Sequence, residues 1–289
     1  MALNATNAFQ YEEDWAQRLR ERLNETSVWK EVCKVLYTDT YTFNLPYLAD
    51  ISLQSVTRSS PYTAQAIIQS NETLVIDQQR LAPMVIPQAD YFQSRYSDFM
   101  QLAERQAAQL DAQVETYVWG AAQTTTFENF DDGSIGGSAG TSITVSISNI
   151  DDIIANVKRV IFTARGAEQL GRNGGFVLWD PTRFALVEQW AMANGFGFAD
   201  EVLRNGVRFG FRAGGLSHYV STQLPSGRNV AGVKGIYHVG ILKSTYGVPK
   251  FLKEDPGQIY GFGVVSAVNY GVLLPVQHQS LMMDIAIVQ

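Results

Sequence analysis

The stretch DYFQSRYSDFMQLAERQAAQLDAQVETYVW, residues 90–119, reads as one long helix. Phe92, Tyr96, Phe99, Ala103, Ala107, Leu110, Val114 and Val118 follow one another at steps of four, three, four, four, three, four and four. An α-helix turns once in about 3.6 residues, so this spacing keeps the apolar groups on a single face for about eight turns. Asp90 is placed to cap the first free amides, and Gly120 to end the last turn. Such a helix is roughly 45 Å long, which suits a structural spine better than the core of a small domain.

On the N-terminal side, residues 51–89 read as two long strands carrying Ile51, Leu53, Ala66, Ile68, Leu74, Ile76, Leu81, Met84 and Ile86. Ser70-Asn71-Glu72 supplies a turn, and Asp77-Gln78-Gln79 or Pro83 a second interruption. A two-stranded ribbon alone is marginal in water, so some other surface must cover it. Residues 1–50 read as an arm. Trp15, Leu19 and Leu23 predict a short amphipathic helix, and Ser27–Tyr37 a second one with Val28, Val32 and Val35 on one face. Tyr37–Pro46 reads as extended chain without a core of its own.

On the C-terminal side a flexible glycine-rich segment spans Thr124–Ser142, and the alternation of Ile143, Val145 and Ile147 predicts a strand over Thr141–Ser148. Residues 149–257 read as a compact α/β unit. Asn149 with Asp152 predicts a capping box opening a helix through Leu170. Gly175–Leu178 is a short buried strand, and Asp180-Pro181-Thr182 opens a helix carrying Phe184, Leu186, Val187 and Trp190. Asn205-Gly206 turns into a strand with Val207, Phe209 and Phe211, and further strands fall at Ser217–Thr222 and Gly235–Ile241. Tyr260–Val288 reads as strands broken at Pro275, expected to pair near Thr141–Ser148 and so return the chain to a domain it had left.

Composition narrows the function. The chain has 289 residues, 46% hydrophobic and 17% charged, which excludes intrinsic disorder and favours a subunit covered by neighbours. A net charge of −6 argues against phosphate-backbone binding as the main task. The densest basic run, Arg18, Arg20 and Arg22, is interleaved with acids and reads as a solvated helix face. Cys33 is the one cysteine, so no intrachain disulfide can form, and a cytoplasmic folding compartment is expected. No apolar run is long enough to span a membrane.

Catalytic chemistry is hard to place. His218, His238 and His278 are far apart and lack the close companions of a metal site, so none is expected. Gly136-Gly137-Ser138-Ala139-Gly140 matches the G-x-S-x-G nucleophile elbow, but that motif needs a strand before the serine and a helix after it. Here a polar loop precedes and a strand follows, so Ser138 reads as a loop residue. Gly195–Ala199 follows a helix and lacks the third glycine of a dinucleotide loop. Asp131-Asp132, Asp151-Asp152 and Glu254-Asp255 read as loop and helix-start charges. No catalytic, cofactor-binding or metal residues and no cofactor are expected.

The order of parts is arm, ribbon, spine helix, inserted α/β unit and terminal strands. This order resembles the tailed-bacteriophage major capsid protein family (the Hong Kong 97 fold, α+β), also used by encapsulin shells. Thr73-Leu74-Val75-Ile76-Asp77, the Asp90–Trp119 spine, Gly175–Pro181, Val202–Val207 and Gly210–Pro225 carry the resemblance. It implies an N-terminal arm at 1–50 that clasps adjacent subunits, an extended loop at 51–89, a peripheral domain at 90–148 and 258–289, and an axial domain at 149–257. It also implies a structural subunit, not an enzyme, that assembles through pentamers and hexamers into an icosahedral virion shell around double-stranded DNA. The expected partners are copies of itself, a scaffolding protein, a portal protein and decoration proteins. Packaged DNA would touch it only by non-specific proximity, no membrane is involved, and assembly takes place in the host cytoplasm. Some family members crosslink through a lysine of the extended loop. No lysine lies between Lys34 and Lys158, so a non-covalent shell is expected. With about 50 residues ahead of the ribbon, a built-in scaffolding segment is not expected.

Overall fold

The computed structural model describes residues 5–23, 27–48, 69–87, 96–194, 210–252 and 261–288. The N-terminal stripe folds as helix α1 (Ala5–Leu23), followed by the single turn α2 (Val28–Val32). The spine is α3 (Tyr96–Val118); Asp90 and Phe92 lie outside the described residues. Ala103, Ala107, Leu110, Val114 and Val118 are buried along its length, as their spacing predicts. The two alanines leave room for a neighbour, and Trp15 of α1 fills the space beside Ala103 and Val264. The described part of the arm therefore packs on its own chain. Trp15, Leu19 and Leu23 bury completely there, which on general grounds is worth about 1.5–3 kcal/mol for each large side chain.

Helix α2 stops at Val32, and residues expected to continue it form strand β1 (Lys34–Thr38). Val35, Leu36 and Tyr37 suit a pleated surface, and β1 lies parallel to β10 (His238–Leu242). A tertiary partner has overridden a weak local helix. Next come β2 (Thr42–Leu48), β3 (Gln69–Val75) and β4 (Gln78–Pro87). The ribbon is β2 paired with β3, so its first strand comes from the stretch read as arm. Ser70-Asn71-Glu72 is not a turn but part of β3. The interruption falls at Ile76-Asp77, after which β4 runs against β12 (Gly261–Leu273) in the body of the molecule. Pro83 sits inside β4 opposite Val265, on a strand that pairs with β12 alone among the described strands. Ile51, Leu53, Ala66 and Ile68 lie outside the described residues.

Two sheets organise the rest. The five-stranded sheet runs β1-β10-β12-β11, with β11 at Lys250–Leu252 and β4 also on β12. The six-stranded sheet runs β5-β13-β9-β6-β8-β7. Its strands are β5 (Glu128–Phe130), β6 (Gly175–Trp179), β7 (Gly210–Ala213), β8 (Leu216–Val220), β9 (Arg228–Val233) and β13 (Met282–Ala286). Both sheets cross the expected boundaries. His238–Leu242 leaves the 149–257 stretch to join the terminal strand, and Met282–Ala286 joins the sheet of the inserted unit. Burial explains the exchange: β6, β10 and most of β9 are buried on both faces, so each needs a partner on both edges.

Other local expectations were modified by backbone chemistry. Helix α5 (Ile150–Thr163) buries Ile150, Ile153, Ile154, Val157 and Ile161 but stops short of Leu170. The helix ends after Thr163 because Arg165 takes a left-handed backbone (φ 58°), and Gly166 follows where a Cβ would stand 2.4 Å from Leu281 and 2.8 Å from Ile161. A short helix α6 (Ala167–Asn173) follows it, and α4 is the turn Ala121–Thr124. Asn149 makes no capping box: its Oδ1 accepts from Ser146 N–H, and its amide donates to Thr144 O. Thr141–Ser148 is not a full strand, and Ile143 bridges Ile287 alone. The glycine-rich segment expected to be flexible is closed on itself, with Asp131 accepting from Ser134 and Gly140 amides and Asp132 from Ser138.

Helix α7 (Pro181–Ala193) starts as its sequence predicts, with Asp180 Oδ1 accepting from Thr182 and Arg183 amides at 2.9 and 3.2 Å. Asp180→Ala is expected to lower stability by about 1 kcal/mol, the usual worth of such a cap. Urea unfolding of the unassembled chain measures it, and an unchanged midpoint would refute the assignment. Asn205-Gly206, Val207 and Phe209 lie outside the described residues.

Candidate assembly surface

The ribbon has two chemically different faces. Register pairs Phe43 with Leu74 and Leu45 with Glu72, and strand alternation puts these four on one side. Leu74 is fully buried there, over a small cluster with Ile76 and Leu242 that Leu36 and Leu273 extend. Thr42, Asn44, Pro46, Asn71, Thr73 and Val75 form the opposite face, and all are exposed. Thr73 donates to Asn44 Oδ1 across that face at 2.9 Å.

Two glycines let the ribbon cross the body. Gly240 and Gly271 stand opposite each other in the five-stranded sheet. A Cβ on Gly240 would lie 2.4 Å from Leu74 Cδ2, and one on Gly271 only 1.9 Å from Val75 O. The pair forms a saddle on which the ribbon root rests. Nearby, Tyr41 is 58% exposed and Val75 49%. On β4, Leu81 and Val85 are 57% and 50% exposed, and both flank one open side of the five-stranded sheet. Among the described residues, no segment of the chain covers these apolar groups.

Residues weighed for chemistry fall in separate places. His218 lies in β8, His238 in β10 and His278 in the 3-10 turn Val276–Leu281. His218 is fully buried between Trp179 and Phe211. Trp179 Nε1–H donates to its Nδ1 at 3.0 Å, so the ring proton sits on Nε2, which faces Ala213 O at 3.2 Å. Burial lowers its pKa to about 4. This is a satisfied core histidine. Ser138 sits beyond the 3-10 turn Asp132–Ile135, away from any strand-to-helix elbow. Asp151 and Asp152 occupy the first turn of α5, while Glu254-Asp255 and Gly195–Ala199 lie outside the described residues. Among the described residues, no three His, Cys, Asp or Glu side chains gather as metal ligands, and no helix is long and apolar enough to cross a membrane.

A cleft between α2, α3 and the loop after β8 is lined by Glu31, Asp111, Glu115, Ser221 and Gln223. Its polar groups hold elements together. Lys30 Nζ pairs with Asp111 at 3.0 Å, Ser221 donates to Glu115 at 2.6 Å, and Thr116 to Gln223 at 2.8 Å. Burial raises the Glu115 pKa, partly offset by the Ser221 hydrogen bond. A second link is buried Gln106, whose Oε1 accepts from Ser266 at 2.8 Å and Trp15 at 3.4 Å while its amide donates to Ala82 O. It joins arm, spine, β4 and β12.

The strand at Thr42–Leu48 and the glycine saddle were not read from the sequence. Alternation of Phe43 and Leu45 with polar neighbours was the available signal for the strand. The saddle had none, because its glycines are 31 positions apart in unrelated segments.

No protein-family model matches the chain, and no curated protein matches it in sequence. Solved structures do match in fold. The capsid structure of the cyanophage P-SCSP1u aligns at a TM-score of 0.58 and 15% identity, over 92% of this chain and 89% of that one. The virus-like particle from Pyrococcus furiosus aligns at 0.60 and 11% identity, over 96% and 99%. A chain of Mycobacterium phage Che8 aligns at 0.60 and 13% identity, over 85% and 84%. The protein thus has the α+β fold found in the chains of phage capsids and a virus-like particle.

Proposed function

We propose that this chain is the major capsid subunit of a tailed-phage shell, built on the Hong Kong 97 fold. It is a structural subunit, not an enzyme. It assembles through pentamers and hexamers into an icosahedral head around double-stranded DNA, in the host cytoplasm, and resides in the virion. The observation that carries this reading is a fold shared with capsid chains over most of both lengths, together with a ribbon whose outer face no described segment of its own chain covers. The peripheral domain comprises the spine helix and the five-stranded sheet, the axial domain the six-stranded sheet with its helices, and the ribbon is the extended loop that reaches a neighbour. Interfaces of this obligate kind bury on the order of 2,000 Å² or more. A scaffolding protein, a portal and decoration proteins are its further partners.

Electron microscopy of the expressed chain, with and without a candidate scaffold, tests the proposal. Hollow shells, rings or tubes support it, and a strictly monomeric chain under every condition refutes it. The shell is held non-covalently, because the ribbon carries no lysine. Intact-mass measurement of purified shells is expected to return single chains, and ladders joined by Lys–Asn isopeptide bonds would refute that.

The fold is shared with a virus-like particle as well as with phage capsid chains, and the alternative reading is a compartment enclosing protein cargo. Shell contents separate the two. Nuclease-protected DNA supports the phage head, and a co-purifying enzyme with no nucleic acid supports the compartment.

A further inference from the structure

Glu72 is the charged exception on the inner face of the ribbon, where its companions are Phe43, Leu45 and Leu74. Glu72 is half-buried there, and its carboxylate reaches a donor at the exposed edge of the body. The donor is Val276 N–H, which reaches Oε1 at 3.1 Å and Oε2 at 3.2 Å. Val276 opens a 3-10 turn after Pro275, so its amide is one of those a helical turn leaves unpaired. His278, two residues on, feels the Glu72 charge, which opposes the lowering of its pKa by burial. His238 and Lys34 stand beyond it. Among the described residues, these contacts at Val276 are the hydrogen bonds joining the ribbon strands to the body.

The ribbon strands also continue into β1 and β4, which pair with β10 and β12, and they rest on the saddle, where Leu74 meets Gly240 and the Val75 backbone Gly271. Apolar contact and close backbone approach fix a point of crossing but have little directional preference. A tether displaced from that point supplies the missing direction. We propose that Glu72 is a positioning residue: held to the Val276 amide, it fixes the angle at which the ribbon leaves the body. Resting on the capsid reading, the same contact sets where the exposed ribbon face meets a neighbouring copy.

Spin labels at Asn71→Cys on the ribbon and Gln113→Cys on α3 report this angle in the unassembled full chain. Both sites are exposed, whereas Cys33 is buried and its thiol pKa is raised by burial, which disfavours labelling. The parent chain is expected to give one narrow distance distribution, and Glu72→Ala a broadened or shifted one with an unchanged melting temperature. Glu72→Gln keeps an acceptor for Val276 and is expected to fall between them, so the test survives if the alanine variant folds poorly. A Glu72→Ala or Glu72→Gln distribution identical to the parent would overturn the proposal. If only a tenth of ribbons keep the competent angle, the concentration needed for assembly rises roughly tenfold. Unchanged assembly despite a broadened distribution overturns the docking step alone. Failure of the parent to assemble overturns the capsid reading and leaves the distance result standing.

Discussion

Gly271→Val is expected to lift the ribbon root off the body and abolish shell formation. A Cβ at this position would stand 1.9 Å from Val75 O, 2.8 Å from Val75 C and 3.0 Å from Ile76 Cα. All three are backbone atoms, so no rotamer change relieves the clash. The ribbon must move, and with it Leu74 and Ile76, now 0% and 5% exposed. Exposing two such side chains costs about 3–6 kcal/mol, a large share of the stability of any domain. Denaturant unfolding should register the loss and electron microscopy the absence of shells. Gly171→Ala provides the control: it lies inside α6, no atom stands within 4 Å of the added carbon, and helix propensity favours alanine by up to about 1 kcal/mol. Normal shells from Gly271→Val would show that the ribbon root is not seated as described.

Acid is expected to weaken the fold well before the carboxylates titrate. Burial, first among the causes, holds His218 and His238 at a pKa of about 4, against 6.5 in the unfolded chain. Between those values the unfolded state binds more protons, so stability present above pH 6.5 is lost as pH falls toward 4. For His218 alone the loss at pH 5 is about 2 kcal/mol. Protonation would place an N–H on Nδ1 opposite Trp179 Nε1–H, two donors with no acceptor between them. Glu115 and Asp284 act in the opposite sense, since burial raises their pKa and the folded state gains protons first. Urea unfolding at pH 7.5, 6 and 5 on parent and His218→Gln separates the terms. The parent should lose more stability than the variant over this range. Equal losses would remove His218 as the cause.

His238 and His278 lie near the foot of the ribbon, and Lys34 of β1 faces His238.

Periodic, locally stabilised elements were legible in the chain. The α3 stripe from Ala103 to Val118, the start of α7 at Asp180-Pro181 and the break at Pro275 all appear where spacing and caps put them. Those features act within a few residues, so local sequence contains their cause. Readings failed where a distant partner decided the outcome. Lys34–Thr38 became a strand because β10 lay beside it, and Ser70-Asn71-Glu72 extended because Thr42–Leu48 paired with it. The helix from Asn149 ended at Thr163, where Arg165 turns left-handed, and Gly166 beyond it leaves room for Leu281, more than a hundred residues away.

The same division holds for the candidate assembly surface. Sequence by itself determined the long amphipathic helix whose stripe runs from Ala103 to Val118 and the capped start of α7 at Asp180. Hydrophobic periodicity and backbone capping suffice for those statements. Only the tertiary structure decided which strands make the ribbon, that Gly240 and Gly271 meet to form its seat, and that Glu72 turns inward to Val276. Each depends on pairing between segments remote in the chain, and register across a sheet sets which side chain faces the body.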